Sequence, residues 1–344
     1  MKKNIRIKTY LHILQQAQTV NFIKTLEEGI KLPAGDFSNA LIQCLCSAST
    51  EKDVLQNFSF KFNIPDEAAK QLLQKLIEKG VVEYYTEQNP AELNRYHRQL
   101  LLFDCMQPKR EFEENYLHQQ KLKQNHVLIL GIGGIGNFMA TALAVAGVGK
   151  ITIADFDVVE ETNLNRQILF LEKDMGKSKA EAAAKRLKEL NSRSKINYLN
   201  TEVHSKDEME ILLRKAGKTD YIILSADKPV ELVLFASSLC KKYSFKYIKC
   251  GYMGYQGLIG PLLGYNTKAY SEIFSSWADE IYNQTETIKE HNNNHIAPSM
   301  AATNGILANI TALEIIKDIT GIAPSILVEK RMLFNLKTME MSYG

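Results

Sequence analysis

The chain has 344 residues, 45% of them hydrophobic, with a formal net charge of +3 and five cysteines. That is about two ordinary domains, with enough apolar content for a core in each. So small a net charge names no polyanionic partner, no apolar run approaches the roughly twenty residues of a membrane span, and no signal peptide follows Met1, so a cytoplasmic protein with reduced thiols is expected.

In chain order, Val20 to Leu32 shows strand-like apolar residues around Glu28-Gly29, the pattern of a hairpin. Asp36 or Ser38 can cap a helix running through Cys46, Thr50 with Asp53 caps a second, and Pro65-Asp-Glu opens a third that reaches Gly80. Val81 to Tyr85 then reads as a closing strand. Short helices with flanking strands predict a small winged-helix-like α+β domain over residues 1–90. DNA binding is not expected of it, because the segment holds eleven Lys or Arg against ten Asp or Glu and so lacks a basic footprint.

From residue 91 onward the pattern changes. After Arg95-Tyr-His-Arg-Gln99, the apolar run His126 to Leu130 has the look of a buried parallel strand, and it ends in Gly131, Gly133, Gly134 and Gly136. Glycines there let phosphate oxygens approach bare backbone, and the start of the following helix attracts an anion. A second strand, Lys150 to Ala154, ends at Asp155, nineteen residues beyond Gly136, where an acid can bind ribose hydroxyls. To this point the pattern serves NAD or FAD as well as ATP. Asn163, Arg166 and Gln167 then share one polar turn, and Lys179 opens the next helix. Hydride transfer has no need of these cations, whereas a triphosphate does. Tyr221 to Asp227 reads as another strand with an acid at its carboxyl end, and Asp227 can hold Mg²⁺ against phosphates.

Taken together these motifs resemble the E1-like adenylating enzymes, the family that includes ThiF, MoeB and the ubiquitin-type activators. The resemblance covers roughly Leu93 to Tyr343. It implies an α/β fold in which a Rossmann-like, ATP-binding adenylation domain occupies residues 91–344. By the same resemblance Gly131, Gly133, Gly134 and Gly136 form the phosphate loop and Asp155 meets ribose. Asn163, Arg166, Gln167 and Lys179 meet phosphates, and Asp227 holds magnesium. Arg98 would reach the partner's ATP across a homodimer interface. The implied reaction is attack of a carboxylate on the α-phosphorus, giving an acyl adenylate and pyrophosphate.

Departures from the family narrow this further. Many members carry two CxxC pairs for a structural zinc, and some carry a cysteine that takes the acyl group. Cys44, Cys46, Cys105, Cys240 and Cys250 contain no CxxC, so no zinc site is expected, and activation through a thioester is disfavoured. Cys250 is expected to be a small core residue. The N-terminal segment resembles the peptide-recognition domain of enzymes that modify ribosomally made peptides, in which a leader peptide adds as a strand beside the hairpin. The domain order resembles the microcin C-type and pantocin-type enzymes, and the missing zinc cysteines favour the pantocin type, with an activated glutamate side chain captured inside the same precursor peptide. A NAD-dependent oxidoreductase and a nucleotide-sensing winged-helix regulator stand as alternatives of other classes.

The segment from Asn266 to His295 lacks clear periodicity and reads as a crossover to a helix over Ile296 to Ile319. By the family resemblance it lies over the adenylation site, where the only tryptophan, Trp277, would report its closure. His291 and His295 read as exposed loop residues, with proton shuttling as the alternative.

Overall fold

A computed structural model describes residues 3–26, 28–46, 49–86, 90–294 and 298–344. The chain divides into two compact units, Met1–Gln120 and Lys121–Gly344.

The first unit begins with β1 (Asn4–Ile7), β2 (His12–Gln15), β3 (Thr19–Ile23) and β4 (Gly29–Pro33). α1 (Asp36–Cys46), β5 (Ser49–Thr50), α2 (Glu51–Phe62), α3 (Asp66–Glu78) and β6 (Val82–Tyr85) follow. β2, β3 and β4 form an antiparallel meander, and β1 lies between β5 and β6 in a second antiparallel sheet. The expected hairpin is present: Val20 pairs with Leu32, and the Glu28 carbonyl accepts the Lys24 and Thr25 N–H groups at 3.0 and 3.1 Å. Thr50 and Asp53 cap α2 reciprocally, at 3.3 and 3.2 Å. At α1 the expected capping roles change: Ser38 lies inside the first turn, and its hydroxyl bonds back to the N–H and carbonyl of Gly35. Ala69, Leu73 and Ile77 recur at helical spacing on α3 and join Ile5, Leu41, Leu45, Val54, Phe58 and Val82 in one core. Each fully buried Leu, Ile, Val or Phe side chain in it contributes about 1.5–3 kcal/mol.

From sequence a boundary is expected at residue 90, yet the units divide after Gln120. The reason is a buried polar knot between β1 and α4 (His97–Met106). Lys8 donates to the Asp104 carboxylate at 2.5 Å and to the Lys109 carbonyl at 2.9 Å, while the Asn115 side chain and the Tyr10 hydroxyl also donate to Asp104, at 3.0 and 2.9 Å. A buried ammonium needs such partners, so residues beyond 90 complete the first unit.

α5 (Tyr116–Gln124) carries the chain onward. The second unit then runs β7 (His126–Leu130), α6 (Gly134–Ala146), β8 (Lys150–Asp155), α7 (Lys179–Leu190), β9 (Lys195–Asn200) and α8 (Lys206–Ala216). β10 (Tyr221–Leu224), α9 (Leu232–Tyr243), β11 (Lys246–Met253) and β12 (Gln256–Gly264) come next. Three short helices follow, α10 (Tyr270–Ile273), α11 (Ser275–Tyr282) and α12 (Glu286–Asn294), and then α13 (Ala301–Thr320), β13 (Met332–Asn335) and β14 (Glu340–Tyr343).

One sheet holds these strands in the order β14-β13-β12-β11-β10-β7-β8-β9, parallel from β9 to β11 and antiparallel beyond. β7, β8 and β10 are apolar along nearly their whole length because helices cover both faces. Strand order reverses between β7 and β10, and a crevice opens there at the carboxyl ends of the strands, where open α/β sheets bind ligands. This is the expected Rossmann-like fold.

Residues 270–294 are three helices rather than an aperiodic crossover. The sequence pattern is short, but Tyr270 and Ala278 turn inward to join the core beneath α9. His291 is exposed, and His295 lies outside the described residues. α13 starts at Ala301, later than the expected Ile296, which is also outside the described residues. Cys44, Cys240 and Cys250 are buried and all five cysteines are free. Among the described residues no helix is long and apolar enough to cross a membrane.

Candidate active site

β7 hands over to α6 through a turn that only glycine can make. Gly131 has a φ of +93°, and a Cβ on it would stand 2.6 Å from the Ala226 backbone nitrogen. Gly133 caps α6 and faces open space, leaving room for an anion at the positive end of the helix. Gly134 and Gly136 serve packing instead: a Cβ would meet Asn304 Nδ2 at 2.1 Å and the Gly131 carbonyl oxygen at 2.2 Å, respectively.

A cavity of about 320 Å³ lies at this crevice, and its walls include Gly131, Gly133, Asp155, Asp157, Lys179 and Asp227. Asp155 is 9% exposed, and its two carboxylate oxygens accept the N–H groups of Ile132 at 2.7 Å and Asp157 at 2.9 Å. Burial raises its pKa, while those two hydrogen bonds and the Lys179 charge act the other way. Its carboxylate therefore ties the glycine turn to the end of β8 and keeps lone pairs toward the chamber. Lys179, the first residue of α7, is 7% exposed, and its ammonium donates to Asp157 at 2.8 Å. Ser178 caps the same helix, accepting the Glu181 N–H at 3.3 Å, so Lys179 is held at a fixed helix start. Asp227 is exposed at the chamber mouth, past the end of β10.

Five expected residues thus meet in one chamber: Gly131, Gly133, Asp155, Lys179 and Asp227. Asn163, Arg166 and Gln167 are not among its walls. Asn163 is buried and its side-chain oxygen accepts the Glu160 N–H at 2.9 Å, closing the turn. Gln167 is buried beneath the same turn, its N–H on the Asn163 carbonyl at 2.9 Å. Arg166 folds back to donate to the Thr162 carbonyl at 2.5 Å and to Asn165 at 3.1 Å. Arg98 is exposed on α4, in the first unit. Sequence reasoning passed over Asp157, Thr201, Glu202 and Ser225, which also line the chamber. The rule that ligands gather at strand carboxyl ends points to each of them, since they follow β8, β9 and β10.

A model of the ThiF family matches residues 96–343. The chain belongs to the ThiF family. Among curated relatives, the adenylyltransferase and sulfurtransferase MOCS3 of Dictyostelium discoideum is 28% identical over 246 residues, 72% of this chain and 53% of its own length. This chain spans about half or less of the length of the curated relatives it matches. Among solved structures, the microcin C7 biosynthetic enzyme MccB in complex with N-formylated MccA is 25% identical with a TM-score of 0.79, covering 99% of this chain and 96% of that one. E. coli MccB has also been solved with ATP. PaaA is 22% identical with a TM-score of 0.76, covering 98% of both chains, a likeness of fold. For a ThiF family member, the glycine turn and Lys179 belong to the matched region, whereas most of the winged-helix-like segment precedes it.

Proposed function

We propose that this ThiF family protein is an ATP-dependent adenylating enzyme that activates a carboxylate of a ribosomally made precursor peptide. The observation that carries the reading is the chamber at the β7–β10 crevice, where a glycine turn, a helix start, Lys179 and two carboxylates, Asp155 and Asp227, face one space. Asp155 would accept ribose hydroxyls, and the α6 start with Lys179 would hold the phosphates. A substrate carboxylate oxygen attacks the α-phosphorus, the bond from that phosphorus to the bridging oxygen breaks, and pyrophosphate leaves. The nucleophile is already ionised, so no base is needed and charge neutralisation by Lys179 does most of the work. Arg166 joins the phosphates only if its guanidinium leaves the Thr162 carbonyl, and Asn163 and Gln167 would support that turn from beneath.

Among the described residues no group of three or more His, Cys, Asp or Glu side chains is placed to hold a metal ion. Mg²⁺ bound through one carboxylate and the substrate phosphates needs no such cage, and the exposed Asp227 at the chamber mouth fits that role. The ion would neutralise charge on the triphosphate. Arg98, exposed on α4, is proposed to serve the ATP site of a second subunit in a homodimer.

The peptide partner is proposed from the winged-helix-like segment, whose β2-β3-β4 sheet offers edge strands to which an extended leader can add. Our finer reading is intramolecular capture, in which an activated glutamate side chain is attacked from within the peptide and water is lost overall. The likeness to MccB over nearly the whole chain supports a second reading, adenylation of the peptide C-terminus. The test is the mass of a candidate precursor peptide, taken from any short reading frame found beside this gene, after incubation with the protein and Mg-ATP, with pyrophosphate measured in parallel. Loss of water supports capture and a gain of adenylate mass supports the second reading. Absence of peptide-dependent pyrophosphate release would remove both.

A further inference from the structure

A second cavity, of about 170 Å³, adjoins the nucleotide chamber and shares Asp227 and Lys228 with it as walls. Its charged floor is Lys249 on β11 and Arg331 just ahead of β13, and aromatic side chains of Tyr252, Tyr270 and Trp277 enclose it. This volume lies below the roughly 300 Å³ at which pockets for drug-sized ligands begin, so it suits one small group and not a folded segment.

The two cations are placed but not paired. Arg331 donates to the Tyr270 hydroxyl at 2.7 Å and its guanidinium stacks 4.3 Å from the Phe274 ring centre, which fixes the fork while leaving donors over. The Lys249 side chain makes no hydrogen bond or ion pair among the described residues, although it stands between the buried Ile248 and Cys250 in mid-strand. Lys249 is half-buried in the cavity wall, so its ammonium is open to an anion that enters the cavity. Among the described residues Asp227 is the only acidic wall of this cavity, against Lys228, Lys249 and Arg331.

We propose that Lys249 and Arg331 form a carboxylate subsite that receives the group to be adenylated and holds it beside the nucleotide chamber. The inference rests on the adenylation reading and adds to it the residues that select the substrate group. A small anion fits the two donors and the small volume, and adjacency through Asp227 brings it toward the chamber where the α-phosphorus would lie. A C-terminal carboxylate and a glutamate side chain share this chemistry.

Trp277, the only tryptophan, lines the cavity and supplies the signal. The full-length protein is titrated by intrinsic fluorescence with three probes: N-acetylalanine, which has only a terminal carboxylate, N-acetylglutamate α-amide, which has only a side-chain carboxylate, and N-acetylalaninamide, which has none. We expect saturable binding of at least one carboxylate, at least tenfold tighter than the amide, with the better of the two naming the source. Lys249→Met should weaken that carboxylate at least tenfold, Lys249→Arg should retain it within threefold, and ATP affinity should stay within twofold in both variants. Three results would overturn the inference: equal binding of amide and carboxylates or none at all, carboxylate binding untouched by Lys249→Met, or a parallel loss of ATP affinity, which would give Lys249 to the nucleotide. Failure of the adenylation reading is seen separately, as wild-type protein that neither binds ATP nor exchanges pyrophosphate into it.

Discussion

Lys179 and Asp157 form a 2.8 Å ion pair in the wall of the nucleotide chamber, the lysine nearly buried and the aspartate carboxylate half exposed. The pair presets the ammonium at the start of α7 and leaves its other donors for an incoming anion. Phosphate oxygens bearing more charge than one carboxylate would compete for it. Lys179→Met should therefore lower ATP–pyrophosphate exchange at least about 100-fold, the size expected for removing a preorganised charge. Far-UV circular dichroism should stay unchanged. Exchange within threefold of wild type would take Lys179 out of the site.

The glycines of the phosphate turn should separate by consequence. Gly131→Ala combines a positive φ with a backbone clash, and should destabilise the protein by about 2 kcal/mol or more. Gly133→Ala has open space, and should leave the unfolding midpoint nearly unchanged while weakening ATP binding at least about tenfold by filling the phosphate approach. Thermal unfolding with an ATP titration distinguishes them, and equal stability losses would refute the division of roles.

For the metal, Asp227→Asn should raise the Mg²⁺ concentration needed for half-maximal exchange at least about tenfold, with the lost carboxylate charge as the cause. An unchanged Mg²⁺ dependence would reassign Asp227.

The knot around Lys8 and Asp104 makes a test of domain extent. A fragment of residues 1–120 should unfold cooperatively, whereas 1–90 would leave Lys8 without its 2.5 Å partner and lose about 3–5 kcal/mol. Asp104→Ala in the full chain should show the same loss in denaturant unfolding. A stable 1–90 fragment would mean that the knot is peripheral.

His126 carries a pH signature. Its Nδ1–H donates to the Lys218 carbonyl at 2.6 Å, and its Nε2 faces the Thr152 hydroxyl at 2.8 Å, so the neutral ring is built in. Burial first, with the Lys150 charge adding to it, lowers its pKa in the folded state. With the unfolded imidazole near its ordinary value of about 6.5, the unfolded chain takes up the proton first as pH falls. The stability His126 contributes is thus complete above about pH 6.5 and is lost progressively below it. The unfolding free energy of wild type minus that of His126→Asn, measured from pH 8 to pH 5, should shrink with acid. A flat difference would count against it.

What the sequence determined by itself is what depends on neighbours along the chain. The glycine turn after a five-residue apolar strand, the acid ending β8, the lysine opening α7 and the Thr50–Asp53 capping box are each set by a few consecutive residues, and all stand where the pattern puts them. Short helices at 270–294 escaped notice because their identity depends on Tyr270 and Ala278 reaching a core built by distant strands. The same holds for the first unit, where Lys8 finds Asp104 ninety-six positions later. Lys249 on β11 and Arg331 just ahead of β13 are brought around one cavity only by the sheet order, and the turning of Arg166 onto Thr162 is a choice among rotamers. Local backbone preference and hydrophobic period write the elements into the sequence, whereas the pairing of charges across long loops is decided by packing, whose partners no local pattern names.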